Sequence, residues 1–387
     1  MLRCPQKPIF GCYVATTGRR MAGQLLFPVY HINSAHLSYR LTSLLGGPPK
    51  WAPPALPVTL TQDSGSQFVD QNAFRVPKYP FEPAFQALSI MNPNIRLDET
   101  DILVNRNSLR KLLDFAAGKR QDPFRMDLHM VKDTLFISRK EKNARSMIHG
   151  SHNSGYGHSL EDVFTKPEDG LDTSSSHHRV ICYDLGHLKC VVRFEVDAYY
   201  EDPDDLSSTD PLQEPVECVA TLMADLDVNG PPPSSTRKGE TMIIRRGTPI
   251  SPLKLAEIKA HKTEKRSASM PQLWFGRTPY LLTGKHDKGV VHSISCTNVG
   301  MHFKEWEAAN QDKLRKLVSL LMELKCIVRE TKGRAAILVC KHKGAPLQIF
   351  KAKNQTSVLP TNILVKHWGL GTGENSKKRV QSGKHTS

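Results

Sequence analysis

The chain has 387 residues, and its 53 lysines and arginines outnumber its 38 aspartates and glutamates, which gives a formal net charge of +15. No stretch approaches the ~18 uninterrupted apolar residues that a membrane-spanning helix needs, so a membrane protein is excluded. The basic excess favours phosphate-bearing partners, with a generally basic soluble surface as the alternative. No two cysteines form a C-x₂-C pair, which argues against a zinc site.

The N-terminal segment contains no acidic residue before Asp63. Such a start is typical of mitochondrial transit peptides, but the Pro-rich stretch Gly46–Pro57 cannot build the helix that they form. We therefore predict that residues 1–66 are a basic, Pro-rich, disordered arm and that order begins near Gln67. Mitochondrial targeting remains the alternative, and the nucleus or the cytoplasm is the expected location.

The remaining chain predicts one domain over residues 67–366, with a flexible insertion near 201–250 and a disordered basic tail at 367–387. Asn107 and Ser108 before an apolar run predict a short capped helix, and residues 311–328 form the strongest helical pattern. Alternating or apolar runs predict strands at 127–131, 134–138, 179–183, 190–200, 216–225, 253–260, 278–283, 290–295, 335–341 and 347–351.

Two predicted strands carry acidic and basic side chains at a spacing of two residues. Glu195 and Asp197 share one face of the first strand, opposite Phe194 and Val196, and Glu257 shares a face of the second strand with Lys259. Carboxylates gathered on adjacent strands can hold one or two Mg²⁺ ions, and a lysine beside them can orient a water for attack on a phosphate. Two solvated strand faces would give the same pattern, and this alternative stays open on these residues alone.

Several segments together resemble the DXO family of decapping nucleases, which includes the nuclear cofactor of the fungal Rat exoribonuclease and belongs to the PD-(D/E)xK superfamily. The segments 194–197 and 257–259 are similar to the E-V-D and E-[LI]-K motifs of that family. Further similarities lie, in chain order, at 104–113, 157–161, 272–284, 289–294 and 311–328. The resemblance spans about residues 72–351 and identifies a divergent, fungal-type member.

The resemblance implies roles for particular residues. Glu161, Asp197 and Glu257, with the carbonyl of Ile258, are the implied ligands of Mg²⁺ or Mn²⁺, and Glu195 is expected close by. The implied catalytic residues are Glu195, Asp197, Glu257, Lys259 and Gln272. Arg106 is implied to contact the substrate phosphate. In the alternative interpretation, Arg106 lies merely at a helix start and Gln272 on an exposed loop.

These observations predict an α/β fold in which helices flank a mixed, partly antiparallel sheet. The expected function is divalent-metal-dependent hydrolysis at the 5′ end of RNA, by removal of incomplete or non-canonical caps, with 5′–3′ exoribonuclease activity as an additional expectation. The expected partners are RNA with a modified or phosphorylated 5′ end and a 5′–3′ exoribonuclease, without a membrane. A catalytically weak RNA-binding or scaffold protein on the same fold is the alternative.

Overall fold

The computed structural model describes residues 26–33, 40–63, 66–68, 78–120, 122–140, 147–149, 155–172, 174–201, 241–261, 266–353 and 357–370. Within these ranges the helices are α1 (Glu82–Met91), α2 (Arg106–Ala116), α3 (Gly157–Phe164), α4 (Arg266–Gly276), α5 (Phe303–Ala309), α6 (Gln311–Glu330) and α7 (Thr361–Trp368). Two short 3₁₀ turns cover Pro252–Lys254 and Gly300–His302. In this part of the chain, no helix combines the length and the apolar character needed to cross a membrane.

The strands form two large mixed sheets and a small two-stranded one. The first nine strands are β1 (Leu26–Asn33), β2 (Arg40–Leu45), β3 (Lys50–Trp51), β4 (Val58–Thr59), β5 (Ser66–Phe68), β6 (Ile102–Asn105), β7 (Phe124–Val131), β8 (Thr134–Arg139) and β9 (Met147–His149). The others are β10 (Thr165–Lys166), β11 (Ser174–Leu185), β12 (Leu188–Glu195), β13 (Ala198–Tyr199), β14 (Thr241–Arg246), β15 (Leu255–His261), β16 (Tyr280–Asp287), β17 (Val290–Asn298), β18 (Ala335–Cys340) and β19 (Leu347–Lys351).

The ten-stranded sheet has the order β14-β2-β1-β11-β12-β6-β8-β7-β18-β19, and the seven-stranded sheet has the order β10-β3-β13-β15-β16-β17-β4. Parallel pairs, such as β12 with β6 and β15 with β16, occur beside antiparallel ones. Helices flank both sheets, which confirms the predicted α/β class with a mixed, partly antiparallel sheet.

Apolar side chains cover both faces of the ten-stranded sheet. On one face, Leu314, Leu317 and Leu321 of α6 pack in the largest core cluster, at the three- and four-residue spacing of an amphipathic helix. On the other face, α1 and α7 contribute a second cluster that contains Phe85 and Trp368. The helix predicted at 311–328 is confirmed, as are the hairpins at 127–138 and 335–351.

Strand β12 differs from its prediction because it is buried on both faces. Arg193 shares the face of Glu195, opposite Phe194, yet it is only 5% exposed. Its Nε donates a hydrogen bond to Asn105 Oδ1 at 2.9 Å, and its guanidinium lies 4.4 Å from the centre of the Phe81 ring. The segment that leads into α1 therefore covers the face of β12 that carries Arg193. The strand also ends at Glu195, so Asp197 lies in the break before β13.

Order begins earlier in the chain than predicted. The described parts of residues 26–63 contain β1 to β4, so a disordered arm over residues 1–66 is wrong for that range. β3 and β4 have two residues each, too short to show periodicity, and they gain their hydrogen bonds from β10, β13 and β17. The strand predicted at 216–225 and most of the insertion lie outside the described residues, as do positions 371–387.

The start of α2 also differs from the prediction. The helix begins at Arg106 after Asn105, and no side chain caps it by a hydrogen bond. Asn107 and Ser108 were expected to provide the cap but lie inside the first turn. This position turns Ser108 into a buried residue, 1% exposed.

Candidate active site

The break between β12 and β13 places Asp197 against β15. β13 pairs antiparallel with β15, with Ala198 opposite Ala256. The amide of Ile258 donates a hydrogen bond to Asp197 Oδ2 at 2.9 Å. Burial and the nearby Glu257 carboxylate raise the pKa of Asp197 well above its ordinary value. A hydrogen bond from a backbone amide of β15 to the Asp197 side chain thus joins the two predicted acidic motifs.

Glu257 is the centre of a buried cluster of polar contacts and is 2% exposed. Lys259 Nζ lies 2.6 Å from its Oε1, and Arg106 Nη2 lies 3.2 Å from its Oε2. Gln272 Nε2 also donates to Oε1. Burial alone would raise the pKa of Glu257, but Lys259 and Arg106 together lower it. The carboxylate is therefore held ionised inside the protein.

Lys259 links the buried glutamate to the other predicted ligands. Its Nζ donates to the carbonyl of Ile258 at 2.9 Å and lies 3.8 Å from Asp197 Oδ2. Burial lowers the pKa of Lys259, but Glu257 and Asp197 outweigh burial and raise it. The lysine is thus charged and contacts three of the groups that the sequence assigned to the site.

Arg106 and Gln272 reach Glu257 from two helices. Arg106 is the first residue of α2, and its guanidinium lies 5.2 Å from the centre of the Phe194 ring. Gln272 lies on α4, and its Oε1 accepts a hydrogen bond from Arg110 Nη1 at 2.7 Å. Gln272 therefore bridges Arg110 and Glu257, and both predicted residues face the cluster. An exposed loop position for Gln272 is wrong.

Glu161 belongs to α3, whose N-terminus is held by Asp63. The amide of Ser159 donates to Asp63 Oδ1 at 3.0 Å, which satisfies one of the amides that have no partner inside the helix. His158 Nδ1 lies 3.6 Å from Glu161 Oε2, and this contact raises the pKa of His158. This role of Asp63 was not predicted, because a side-chain cap from a distant segment leaves no local pattern in the sequence. Its position as the first acidic residue of the chain was the available signal.

A cleft with an empty volume of about 660 Å³ joins Glu161, Glu195 and Asp197. Glu195 is in contact with solvent there, yet protein surrounds it on the other sides. This surrounding protein and then the Glu161 carboxylate raise the pKa of Glu195 to about 7. His177 also lines the cleft. His177 precedes the strand predicted at 179–183, but it lies buried on β11 because that strand begins at Ser174.

The donor set of this cleft fits a hard divalent cation. Glu161, Glu195 and Asp197 line the cleft and offer carboxylate oxygens, the ligand type that Mg²⁺ and Mn²⁺ prefer. Glu257 is not among the lining residues, and its buried Oε2 lies in the ion pair with Arg106 but accepts no hydrogen bond. The described residues hold no group of three His, Cys, Asp or Glu side chains in metal-binding geometry. The acidic side chains therefore surround one cleft without converging on a single point.

The fold is that of yeast Rai1 proteins. Two crystal structures of Schizosaccharomyces pombe Rai1, one in complex with 3′-FADP and one without, are 13% and 14% identical to this chain, with TM-scores of 0.54 and 0.53. Both cover 85% of this chain and 93% of the other. Scheffersomyces stipitis Rai1 in complex with (3′-NADP)⁺ and a calcium ion is 12% identical over 89% of this chain and 94% of the other, with a TM-score of 0.53.

These comparisons confirm the resemblance to the DXO family at the level of the fold. No curated protein matches the sequence at a significant level. A family described as a domain of unknown function, DUF8563, matches residues 26–368, which include both large sheets and the acidic cleft. The chain belongs to the DUF8563 family.

Proposed function

We propose that this protein is a divalent-cation-dependent hydrolase that acts on the 5′ end of RNA. The observation that carries the proposal is the buried cluster around Glu257, where Lys259, Arg106 and Gln272 meet one carboxylate beside the acidic cleft. In the proposal, the substrates are RNAs with an incomplete or non-canonical cap, a 5′-triphosphate or a 5′-monophosphate. A location in the nucleus or the cytoplasm and a 5′–3′ exoribonuclease as partner belong to the same proposal.

The proposed cation ligands are Glu161, Asp197, Glu257 and the carbonyl of Ile258, with Glu195 beside them. When bound, the cation would polarise the phosphate and lower the pKa of a bound water. The ligands of the Rai1 structures, 3′-FADP and (3′-NADP)⁺ with calcium, support nucleotide phosphates and a divalent cation as the first ligands to test.

The basic and amide groups of the cluster have separate proposed tasks. Lys259 keeps its proton and orients water or the phosphate through Nζ, which already bridges Glu257 and the Ile258 carbonyl. Arg106 offsets the charge of the substrate phosphate, since a guanidinium offers several donors to phosphate oxygens. Gln272 holds Glu257 in place while Arg110 holds Gln272.

A panel of RNAs with different 5′ ends, incubated with Mg²⁺, Mn²⁺ or EDTA, tests the proposal. Hydrolysis is expected only with a divalent cation. Asp197→Asn and Glu257→Gln should reduce it about 10²-fold or more, because a catalytic cation contributes several kcal/mol. RNA affinity in EDTA should change little. Glu323→Gln is the matched control, since Glu323 is an exposed carboxylate on α6.

Full activity in both site variants, or activity that persists in EDTA, would overturn the proposed site.

A specific observation favours the second candidate function, a catalytically weak RNA-binding protein. Both oxygens of Glu257 already contact basic or amide groups, and no tight acidic triad is present in the described residues. RNA binding without hydrolysis of any substrate in the panel would establish that candidate.

A further inference from the structure

A second cavity, separate from the acidic cleft, is bordered by helix α2. Arg106 and Arg110 are four residues apart and face the Glu257 cluster. The residues between and after them line a separate cavity with an empty volume of about 500 Å³. We call it the basic cavity, and its polar lining consists of Asn107, Ser108, Lys111, Arg125, Arg139 and Lys140.

The charge of the basic cavity is positive. Lys111, Arg125, Arg139 and Lys140 line it, and no carboxylate belongs to the lining among the described residues. Arg125 pairs with Asp127, whose Oδ1 lies 3.0 Å from Arg125 Nη2 and partly offsets the charge of that guanidinium. The aromatic ring of Phe124 lies 5.4 Å below Lys111 Nζ and forms part of the wall. This arrangement favours an anion.

Ser108 supplies an independent indication of a ligand. Its side chain is 1% exposed and lines the cavity, and its hydroxyl has no hydrogen-bond partner. A buried hydroxyl without a partner is unfavourable, so a water, an ion or a ligand group at this position would be stabilising. Ser108 lies in the first turn of the 11-residue helix α2, where free backbone amides and the helix dipole favour negative charge.

We propose that the basic cavity binds a phosphate group of the RNA backbone downstream of the processed 5′ end. This inference rests on the proposed function, because it places the 5′ end at the Glu257 cluster. Asn107 and Ser108 directly follow Arg106, which contacts Glu257, so the first turn of α2 contributes residues to both sites. In this proposal, the RNA strand continues past the Glu257 cluster and presents a later phosphodiester to the basic cavity.

The test measures the affinity of the full chain for 5′-monophosphorylated oligouridylates of increasing length, from one to six nucleotides, in EDTA. Lys111→Ala/Arg139→Ala should weaken binding of the longest RNA about tenfold or more and change the affinity for uridine 5′-monophosphate less than twofold. The slope of log affinity against log salt should become shallower by about 0.7 for each phosphate that the variant no longer neutralises. Ser108→Ala should lower the affinity for the longest RNA about fivefold without changing the slope against log salt.

The matched control is Lys316→Ala/Lys332→Ala, which removes two exposed cations outside the cavity and should not produce the tenfold weakening. Equal losses of affinity for the mononucleotide and the long RNA would overturn the inference, and so would unchanged binding in both cavity variants. Weakened binding of inorganic phosphate without an effect on RNA would assign the cavity to a free anion and overturn the RNA assignment. If the wild-type chain binds no RNA, both the proposed function and the phosphate site in the basic cavity are refuted. If the cavity variants hydrolyse RNA and bind it with unchanged affinity, only the phosphate site is refuted.

Discussion

The variant Arg106→Met tests how much the buried ion pair between Arg106 and Glu257 contributes to the free energy of unfolding. The substitution keeps most of the side-chain volume but removes the cation that lies 3.2 Å from Glu257 Oε2. The two side chains are 9% and 2% exposed, so water screens the pair poorly. Breaking a buried pair by removing one partner costs about 3–5 kcal/mol. In the variant, Glu257 still has Lys259 Nζ at 2.6 Å from its Oε1. We therefore expect a loss of unfolding free energy at the low end of this range, about 3 kcal/mol.

Urea unfolding at pH 8 measures this loss as a lower midpoint with an unchanged slope. Arg329→Met is a suitable control, because Arg329 Nη2 lies at the same 3.2 Å from Asp133 Oδ1 but the side chains are 50% and 70% exposed. Removing this exposed pair should cost less than about 1 kcal/mol. A similar loss in both variants would refute the argument that burial makes the Arg106–Glu257 pair energetically important.

The pH dependence gives a second check on the same variant. The pKa of Glu257 is lowered in the folded protein, so the stability from its ionised form is present above the ordinary value of 4.5 and is lost as pH falls through the folded pKa. Arg106→Met lacks one of the cations that lower the pKa of Glu257, so ionised Glu257 stabilises this variant less than the wild type. The difference in unfolding free energy between wild type and variant should therefore shrink in acid, and a difference independent of pH would contradict the assignment.

Four further outcomes are expected. Glu195→Gln should make the decline in thermal stability between pH 4.5 and about 7 shallower, measured without divalent cations, because the unfolded carboxyl of Glu195 loses its proton first when the folded pKa is raised. Gly284→Ala should cost about 1–3 kcal/mol in urea unfolding and reduce hydrolysis, because the new Cβ would lie 2.8 Å from Leu160 Cδ1, next to Glu161. Asp63→Ala should cost about 1 kcal/mol by loss of the α3 cap, with Asp63→Asn restoring most of it. Binding of a short 5′-phosphorylated RNA should follow log salt with a slope of roughly −3 to −4 for four to six phosphate contacts, and a flat dependence would argue against RNA as ligand.

Local patterns predicted a large part of the fold. The apolar stripe of α6 has the helical period, and the two hairpins show alternation beside short turns. Both properties depend on neighbours within a few residues, so the sequence displays them directly. The same rule placed Glu257 and Lys259 on one side of β15, where their side chains are in contact.

The rest of the site required tertiary structure. The sequence alone indicated the α/β elements and the carboxylates and lysine of a candidate cation site, because spacing and periodicity are local, and the resemblance to the DXO family implied the roles of Glu161, Arg106 and Gln272. Only the folded chain decided that Arg193 is buried under the segment before α1, that Asp63 caps the helix of Glu161, and that residues before 63 supply strands. These contacts join residues far apart in sequence, and strands of two residues are stable only through hydrogen bonds to partners that no local pattern specifies.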